Sequence, residues 1–449
     1  MQKLLIVLFA LLSLTADAQA PRPNIIHILA DDLGYGELGA FGQKKIRTPH
    51  IDQLAREGLR LDRHYAGSAL CSPSRYAFMT GRHAGSTGVS GNGYNVLPKN
   101  TITVARLLQQ AGYYTIFAGK WALGVPGSSG DPLKQGFDQW YGYSNQGDAH
   151  DYYPEHLYEN GRRVKLPGNQ TSKRARVAKA AVTYAPLSIE SWALATLAQQ
   201  HRRAPQQPIY LQFDVTLPHL NNELAAIDGV GAQYPGPARY RGEAWPEEMR
   251  GYAEMVSQLD DSLGRLVAML KQQGMADNTV LIFSSDNGPT GVRGLANLGF
   301  FQASGALKGL KGMALEGGIR VPTVVWWPGH IKAGGQSESP SAFWDMLPTF
   351  AALAGVKSPA SDGVSQLPLW LEGKPPKREK PLYWRMKNWR AVMDGDYKWL
   401  RFDGDGSSVE RLYDVRNDPG EKQDLKNQKP AVFKRLRASA QHEEDKEKR

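Results

Sequence analysis

A single cysteine occurs in the 449 residues, and it lies in a segment suited to nucleophilic chemistry. Cys71 is followed by Ser-Pro-Ser-Arg, and a proline at this spacing favours the first turn of a helix. The free N–H groups at a helix start stabilise negative charge. Arg75 lies one helical turn further on, so both side chains can face one site. The alternative is a small buried thiol, because one cysteine cannot form a disulfide within the chain.

Four oxygen-bearing side chains follow two apolar runs that are typical of buried strands. Asp31 and Asp32 directly follow the first run, and Asp286 and Asn287 follow the second. Carboxylate and amide oxygens are hard ligands, which suit Ca²⁺ or Mg²⁺ rather than zinc. Alone, each pair would more often be a polar turn or a helix cap. Their occurrence together with the cysteine segment favours a metal site.

The residues from Cys71 to Gly81 match the pattern C-x-P-S-R with a downstream Thr-Gly. In this the chain resembles the arylsulfatase family of the alkaline phosphatase superfamily. The resemblance implies that a maturation enzyme oxidises Cys71 to formylglycine (3-oxoalanine), whose hydrate attacks the sulfur of a sulfate ester. It also implies one Ca²⁺ per chain, with Mg²⁺ as the second choice. By resemblance, the metal ligands are Asp31, Asp32, Asp286, Asn287 and the modified residue 71.

Further site residues are predicted from the same resemblance. Arg75 would hold the formylglycine hydrate, and Lys120, in a G-K-W motif, would contact both hydrate and sulfate. Lys311 begins a stretch that resembles K-G-x-x-x-E-G-G-x-R-x-P, whose lysine binds sulfate near the leaving oxygen. His219 corresponds to the histidine that protonates the leaving alcohol, a role that suits an imidazole because its pKa lies near neutrality. Without these motifs, each would be interpreted as a solvated charge or a structural histidine.

The chain departs from the common pattern at one position. Many sulfatases read G-K-W-H-L-G, whereas this sequence reads Gly-Lys-Trp-Ala-Leu-Gly, so Ala122 cannot take a proton during sulfate release. A subgroup with a small residue here, G-K-W-G-L-G, acts on 4-O-sulfated galactose or N-acetylgalactosamine. The segment 127–154 is similar to that subgroup, which predicts a sulfated carbohydrate substrate such as a galactan or glycosaminoglycan. His150, in an aromatic and polar stretch, is the predicted substrate contact; a packed loop is the alternative.

Two other functions remain open at this point. Phosphonate monoester and phosphodiester hydrolases of the same superfamily can also carry C-x-P-S-R, and their substrates share the single negative charge of a sulfate monoester. A protein that binds sulfated polysaccharide without hydrolysing it would be compatible with Ala122. The two alternatives differ from a sulfatase in the reaction, not in the fold.

Strands that alternate with helices must position these side chains. The pattern predicts an α/β fold, alkaline-phosphatase-like by resemblance, with a mostly parallel central sheet and helices on both faces. Ligands bind beyond the carboxyl ends of such strands, where the polar residues gather. Two antiparallel strands, from Tyr383 to Asp394 and from Tyr397 to Phe402, and a final helix predict a small C-terminal α+β subdomain. The expected organisation is a signal peptide at 1–20, a catalytic domain at 21–375 and this subdomain at 376–449.

The N-terminus and the charge indicate where the protein works. A lysine, an apolar run from Leu4 to Leu14 and the small-x-small sequence Ala18-Gln19-Ala20 are typical of a secretory signal peptide. The apolar run is too short to span a bilayer comfortably, so no stable membrane anchor is expected. The net charge of +10 would attract an anionic substrate. The sequence has no zinc-finger spacing, and we expect no nucleic-acid partner. We expect an exported, periplasmic or secreted bacterial protein.

Overall fold

The computed structural model describes residues 22–236, 239–291, 298–404 and 406–447. The predicted signal peptide at 1–20 lies outside the described residues. Within the described ranges, no helix combines the length and the hydropathy that crossing a membrane requires.

Most strands belong to the segment before residue 343, and the last four follow residue 381. The described strands are β1 (Asn24–Ala30), β2 (Leu59–Leu61), β3 (His64–Tyr65), β4 (Tyr114–Lys120), β5 (Gln139–Tyr143), β6 (His156–Glu159), β7 (Arg162–Lys165), β8 (Gln170–Thr171), β9 (Ala178–Ala180), β10 (Ile209–Asp214), β11 (Thr279–Ser285), β12 (Val324–Trp326), β13 (Gly335–Ser337), β14 (Ser341–Ala342), β15 (Leu382–Met386), β16 (Trp389–Asp394), β17 (Tyr397–Gly404) and β18 (Ser407–Asp414).

The α-helices vary from single turns to one of 26 residues, α7. The described α-helices are α1 (Pro49–Glu57), α2 (Cys71–Thr80), α3 (Ala84–Thr87), α4 (Val104–Gln110), α5 (Ala185–Arg203), α6 (Asn222–Asp228), α7 (Glu247–Gln272), α8 (Leu298–Phe301), α9 (Glu316–Ile319), α10 (Met346–Leu353), α11 (Leu367–Glu372) and α12 (Pro430–Glu447).

The central sheet has ten strands in the order β13-β2-β12-β11-β1-β10-β4-β5-β6-β7. Its middle five strands, from β11 to β5, are parallel to one another. Successive residues of β1 point to opposite faces: Ile26 and Ile28 join one buried apolar cluster, and Ile25 and Leu29 join another. Helices α1, α5 and α7 cover the first face, and α2, α4, α10 and α11 cover the second. The predicted α/β fold is confirmed.

The C-terminal part forms a four-stranded antiparallel sheet in the order β15-β16-β17-β18, and α12 packs against it. The predicted antiparallel character is confirmed, but one predicted strand, Tyr383 to Asp394, is two strands. Lys387 and Asn388 form the turn between β15 and β16, so the chain reverses within the predicted strand. The domain boundary at 375/376 stays a prediction. One buried apolar cluster contains residues from both sides of it.

Candidate active site

The predicted site residues meet where the parallel strands end. Asp31 and Asp32 follow β1, Asp286 and Asn287 follow β11, and Lys120 is the last residue of β4. His219 lies five residues beyond β10, so four neighbouring strands deliver their polar ends to one edge of the sheet. This is the ligand-binding edge of an open α/β sheet.

Helix α2 brings Cys71 to the same edge, because the helix begins at that residue and is buried along its whole length. The Cys71 Sγ lies 3.4 Å from Asp31 Oδ1 and 3.7 Å from Asp32 Oδ1. Atoms of Asp31, Asp32, Cys71 and His219 all lie within 4.8 Å of one another. The cysteine therefore sits inside the acidic cluster.

Two lysines approach this cluster from opposite sides. Lys120 Nζ donates to Asp31 Oδ2, and Lys311 Nζ lies 2.7 Å from Asp32 Oδ1 and 2.8 Å from Asp32 Oδ2. The position of Lys120 requires a glycine at the residue before it. Gly119 has φ of 113°, and a Cβ there would lie 1.8 Å from the carbonyl oxygen of Asp214. A glycine at 119 therefore allows β4 and β10 to approach closely beside the site.

Arg75 is fully buried one turn along α2 and binds two carboxylates. Its Nε and Nη2 donate to Asp286 Oδ2 at 3.1 and 2.8 Å, and its Nη1 donates to Asp214 Oδ2 at 2.8 Å. Nη1 also donates to the carbonyl of Lys120 at 3.0 Å. The guanidinium thus links α2, β4, β10 and the turn after β11.

Charge and burial act in opposite directions on the carboxylates. Burial would raise the pKa of Asp31 and Asp32, but the neighbouring cations together outweigh it, with Lys120 the largest contributor at Asp31 and Lys311 at Asp32, and they hold both pKa values below their usual range. Burial, together with the charge of Asp31, raises the pKa of Asp286 to about 7. Burial next to Asp286 also raises the pKa of the Cys71 thiol. An unmodified thiol at position 71 therefore stays protonated, which makes it a weak nucleophile.

His219 is fixed by its own backbone neighbourhood. Its Nδ1 donates to the carbonyl of Leu220 at 2.6 Å, which leaves Nε2 facing Asp32 Oδ2 at 3.5 Å. Burial, opposed by the charge of Asp32 and reinforced by that of Lys311, lowers the pKa of His219 to about 3. The imidazole is thus oriented with one nitrogen toward the acidic cluster.

The donor set fits a hard divalent cation. Asn287 is fully buried, and its Nδ2 donates to Asp32 Oδ1 at 2.7 Å. Its Oδ1 finds no hydrogen-bond partner among the described residues, although a buried acceptor is costly when it is unsatisfied. An orphaned amide oxygen beside three carboxylates is the arrangement that Ca²⁺ or Mg²⁺ would satisfy.

His150 lies one layer further out. Its ring stacks on that of His219 with centroids 4.8 Å apart, and its Nδ1 bonds to Glu223 Oε2 at 3.0 Å. Arg176 donates to the other oxygen of Glu223 at 3.1 Å. The structure thus places His150 beside the predicted acid.

Three polar residues that the sequence does not single out hold this arrangement in place: Asp214, Glu223 and Arg176. Asp214 could have been found, because it ends β10 in the way that other polar site residues follow their strands. Glu223 and Arg176 gave no such signal. At the position that departs from the common pattern, Ala122 has φ of 61° and offers only a methyl group, while its carbonyl accepts from the Ser72 hydroxyl at 3.3 Å.

Comparisons with known proteins agree with one another. The sulfatase family profile matches residues 23–356, and the profile for the C-terminal part of N-sulphoglucosamine sulphohydrolase matches residues 310–446. N-acetylgalactosamine-6-sulfatase of Mus musculus is 32% identical over 88% of this chain and 75% of its own length. Steryl-sulfatase of Mus musculus is 33% identical over 78% of this chain and 65% of its own length. The crystal structure of Ps i-CgsB in complex with k-i-k-neocarrahexaose has a TM-score of 0.80 at 29% identity, covering 94% of this chain and 93% of that chain.

Proposed function

The chain belongs to the sulfatase family of sulfuric ester hydrolases, and we propose that it hydrolyses sulfate esters of carbohydrates with a formylglycine made from Cys71. The observation that carries this proposal is the burial of the Cys71 thiol at the start of α2, within 3.7 Å of two carboxylates. Its raised pKa makes the unmodified thiol a poor nucleophile there. The hydrated aldehyde would supply an oxygen nucleophile at the same place, which makes modification chemically useful.

Each of the other polar side chains in the site would have a separate role in the reaction. Asp31, Asp32, Asp286 and Asn287 would hold a Ca²⁺ ion, which when bound neutralises charge on the sulfate and on side chain 71. Lys120 and Lys311 offer ammonium groups to sulfate oxygens. Arg75, held by Asp286 and Asp214, keeps a positive charge next to residue 71. His219 faces the leaving oxygen with Nε2, because its Nδ1 donates to a backbone carbonyl. A bound sulfate, being an anion, would favour the protonated imidazole, and the proton that Nε2 then carries would pass to the leaving oxygen.

The substrate proposal is a 4-O-sulfated galactose or N-acetylgalactosamine unit in a galactan such as carrageenan or in a glycosaminoglycan. A relative named for N-acetylgalactosamine 6-sulfate and a structural neighbour bound to neocarrahexaose support a sulfated galacto-configured sugar. The small residue Ala122 supports the 4-O position. His150 would contact the sugar through Nε2, since Glu223 occupies its Nδ1.

Two measurements test the reaction and its position on the sugar. In protein coexpressed with a formylglycine-generating maturation enzyme, the peptide around Cys71 should lose about 18 Da, the mass difference between thiol and aldehyde. That protein should release sulfate from 4-O-sulfated galactose faster than from the 6-O isomer, and faster than it cleaves a phosphodiester. Folded Cys71→Ala protein should release none. Faster phosphodiester cleavage, or sulfate release by Cys71→Ala, would contradict the proposal; faster 6-O release would overturn only the position.

The proposed export of the protein rests on the sequence alone. A signal peptide at 1–20 would export the chain to the periplasm or the medium of a bacterium. Cell fractionation of the native host checks this, and retention in the cytoplasm of a chain that begins at Met1 would contradict it.

A further inference from the structure

A strongly basic strip lies beside the site. Between residues 160 and 182 the chain contains no acidic residue but has seven basic ones: Arg162, Arg163, Lys165, Lys173, Arg174, Arg176 and Lys179. All except Arg176 are exposed. Apart from Arg176, none forms an ion pair with a residue in the described part of the chain. These charges on β7 and the β8–β9 hairpin, which we call the basic strip, are therefore available to a mobile or bound anion.

The strip borders one wall of a cavity of about 270 Å³. Tyr158 pairs with Arg163 and His156 pairs with Lys165 across β6 and β7, so all four side chains share one face. Tyr158 and His156 line the cavity, and their rings meet edge to face at 5.3 Å. Arg163 Nε donates to the Tyr158 hydroxyl at 3.3 Å. This wall thus combines aromatic surface with cations.

The β8–β9 hairpin forms the opposite wall. Thr171, Ala175 and Arg176 line the same cavity. The backbone N–H of Thr171 donates to Glu155 Oε1 at 2.8 Å, and Arg176 Nη1 donates to Glu223 Oε1 at 3.1 Å. These contacts hold the hairpin against the main body at both of its ends.

A short chain of contacts connects the cavity with the catalytic centre. Arg176 and His150 share the carboxylate of Glu223, and the His150 ring stacks on His219. Arg176, which lines the cavity, is thus separated from the predicted acid His219 by two side chains, those of Glu223 and His150. Three carboxylates also line the cavity, and each has a partner: Asp148 lies 3.7 Å from Arg176, Glu155 accepts from the backbone N–H of Thr171, and Asp151 accepts from that of Tyr153 at 2.9 Å.

We propose that this cavity and the basic strip form a subsite for a second, sulfated sugar residue of a polysaccharide chain. The inference rests on the proposed function, because it extends the path of the sugar whose sulfate is hydrolysed. Aromatic rings offer apolar surface to the faces of a sugar ring, and unpaired exposed cations attract a polyanion most strongly at low salt. A sulfated monosaccharide would be too short to use the subsite.

Two charge-reversal variants test the subsite. The strip variant changes three residues of the strip: Arg163→Glu, Lys165→Glu and Arg174→Glu. The control variant makes a similar change in charge at exposed lysines elsewhere on the surface: Lys357→Glu, Lys377→Glu and Lys434→Glu. For each protein, kcat/KM is measured with a sulfated galactan hexasaccharide and with the sulfated monosaccharide, at 20 mM and 300 mM NaCl.

At 20 mM NaCl the strip variant should lower the hexasaccharide-to-monosaccharide ratio of kcat/KM by about tenfold, because three attractive charges become repulsive toward the anionic oligosaccharide. At 300 mM the difference from wild type should shrink, because salt screens exposed charges. The control variant should keep the ratio within about twofold of wild type. An unchanged ratio in the strip variant, or an equal fall in the control, overturns the subsite.

A measurement of hexasaccharide binding distinguishes failure of the subsite from failure of the proposed function. Calorimetry with Cys71→Ala protein and the same hexasaccharide should show about tenfold weaker binding when the strip substitutions are added. If that loss appears while the modified wild-type protein releases no sulfate, the proposed function fails and the subsite stands. If turnover is normal and binding does not depend on the strip, the subsite fails alone.

Discussion

Lys398 offers a test of how far the site depends on the C-terminal sheet. It lies on β17, fully buried, with its Nζ 2.7 Å from Glu316 and 2.8 Å from Glu421. The same ammonium donates to the carbonyl of Ala314 at 3.1 Å, three residues after Lys311. We expect Lys398→Met to destabilise the fold and to disturb the loop that positions Lys311.

The expected loss follows from the burial of all three charges. Removing one partner from a buried ion pair costs about 3–5 kcal/mol, because the remaining charge is left uncompensated. Glu316 keeps Arg320 at 3.6 Å and the Tyr65 hydroxyl at 2.8 Å, so we expect the lower end, about 3 kcal/mol, near neutral pH. Loss of the cation raises the pKa of both carboxyls in the folded state. A raised folded-state pKa reduces stability as pH rises, so the cost should grow from about pH 5 to pH 8.

A matched surface pair provides the control. Lys374 lies 2.7 Å from Glu372, the same distance as in the buried pair, but the two side chains are 76% and 55% exposed. Lys374→Met should therefore leave the free energy of unfolding nearly unchanged, because solvent screens an exposed ion pair. Urea unfolding at pH 6 and pH 8 gives both free energies, and kcat/KM is measured where each variant is folded. If Lys398→Met costs no more than Lys374→Met, or its cost does not grow with pH, the reasoning from burial is refuted.

Three further predictions follow from individual side chains. Asn287→Leu should abolish most of the increase in Tm that Ca²⁺ gives over EDTA, because it removes the orphaned amide oxygen; an undiminished Ca²⁺ response would exclude Asn287 as a ligand. Glu223→Ala should raise KM for the sulfated sugar by about tenfold and Glu223→Gln by less, because the amide oxygen can still accept from His150; equal effects would show that the hydrogen bond does not orient the ring. Burial raises the pKa of Glu37 to about 8, so wild type should lose stability between about pH 5 and 8. Glu37→Gln lacks this titration and should gain on wild type by up to about 1 kcal/mol per pH unit in urea unfolding; parallel pH profiles would contradict this.

The elements that carry the candidate catalytic side chains could be predicted because the sequence signals for these elements are local. Each parallel strand reads as a short apolar run, and the polar residue at its end marks the edge of the sheet. Asp31 and Asp286 are 255 positions apart, yet both lie where this rule places them, because β1 and β11 pair directly. The helix that begins at Cys71 is signalled in the same way by its proline.

The groups that orient these side chains were harder to predict, because their partners are distant in sequence. Glu223 lies on the short helix α6 and acts through His150, 73 positions earlier. Asp214 forms its bond with Arg75 across 139 positions. Such pairs form only when separate elements pack together. Neither the spacing of apolar residues nor a helix-capping signal predicts them.

The C-terminal sheet packs against residues that precede the predicted domain boundary at 375/376. The pattern of predicted elements changes past residues 374–377, and the sequence therefore predicts a small C-terminal α+β subdomain. However, Trp389 Nε1 donates to the carbonyl of Gly312 at 2.9 Å, next to Lys311, and Lys398 secures the carbonyl of Ala314. One apolar cluster also includes side chains from both parts, among them Ala77 of α2 and Trp384 of β15. Because the loop that carries Lys311 packs against this sheet, a chain that ends at residue 375 should lose the geometry of the active site as well as the sheet.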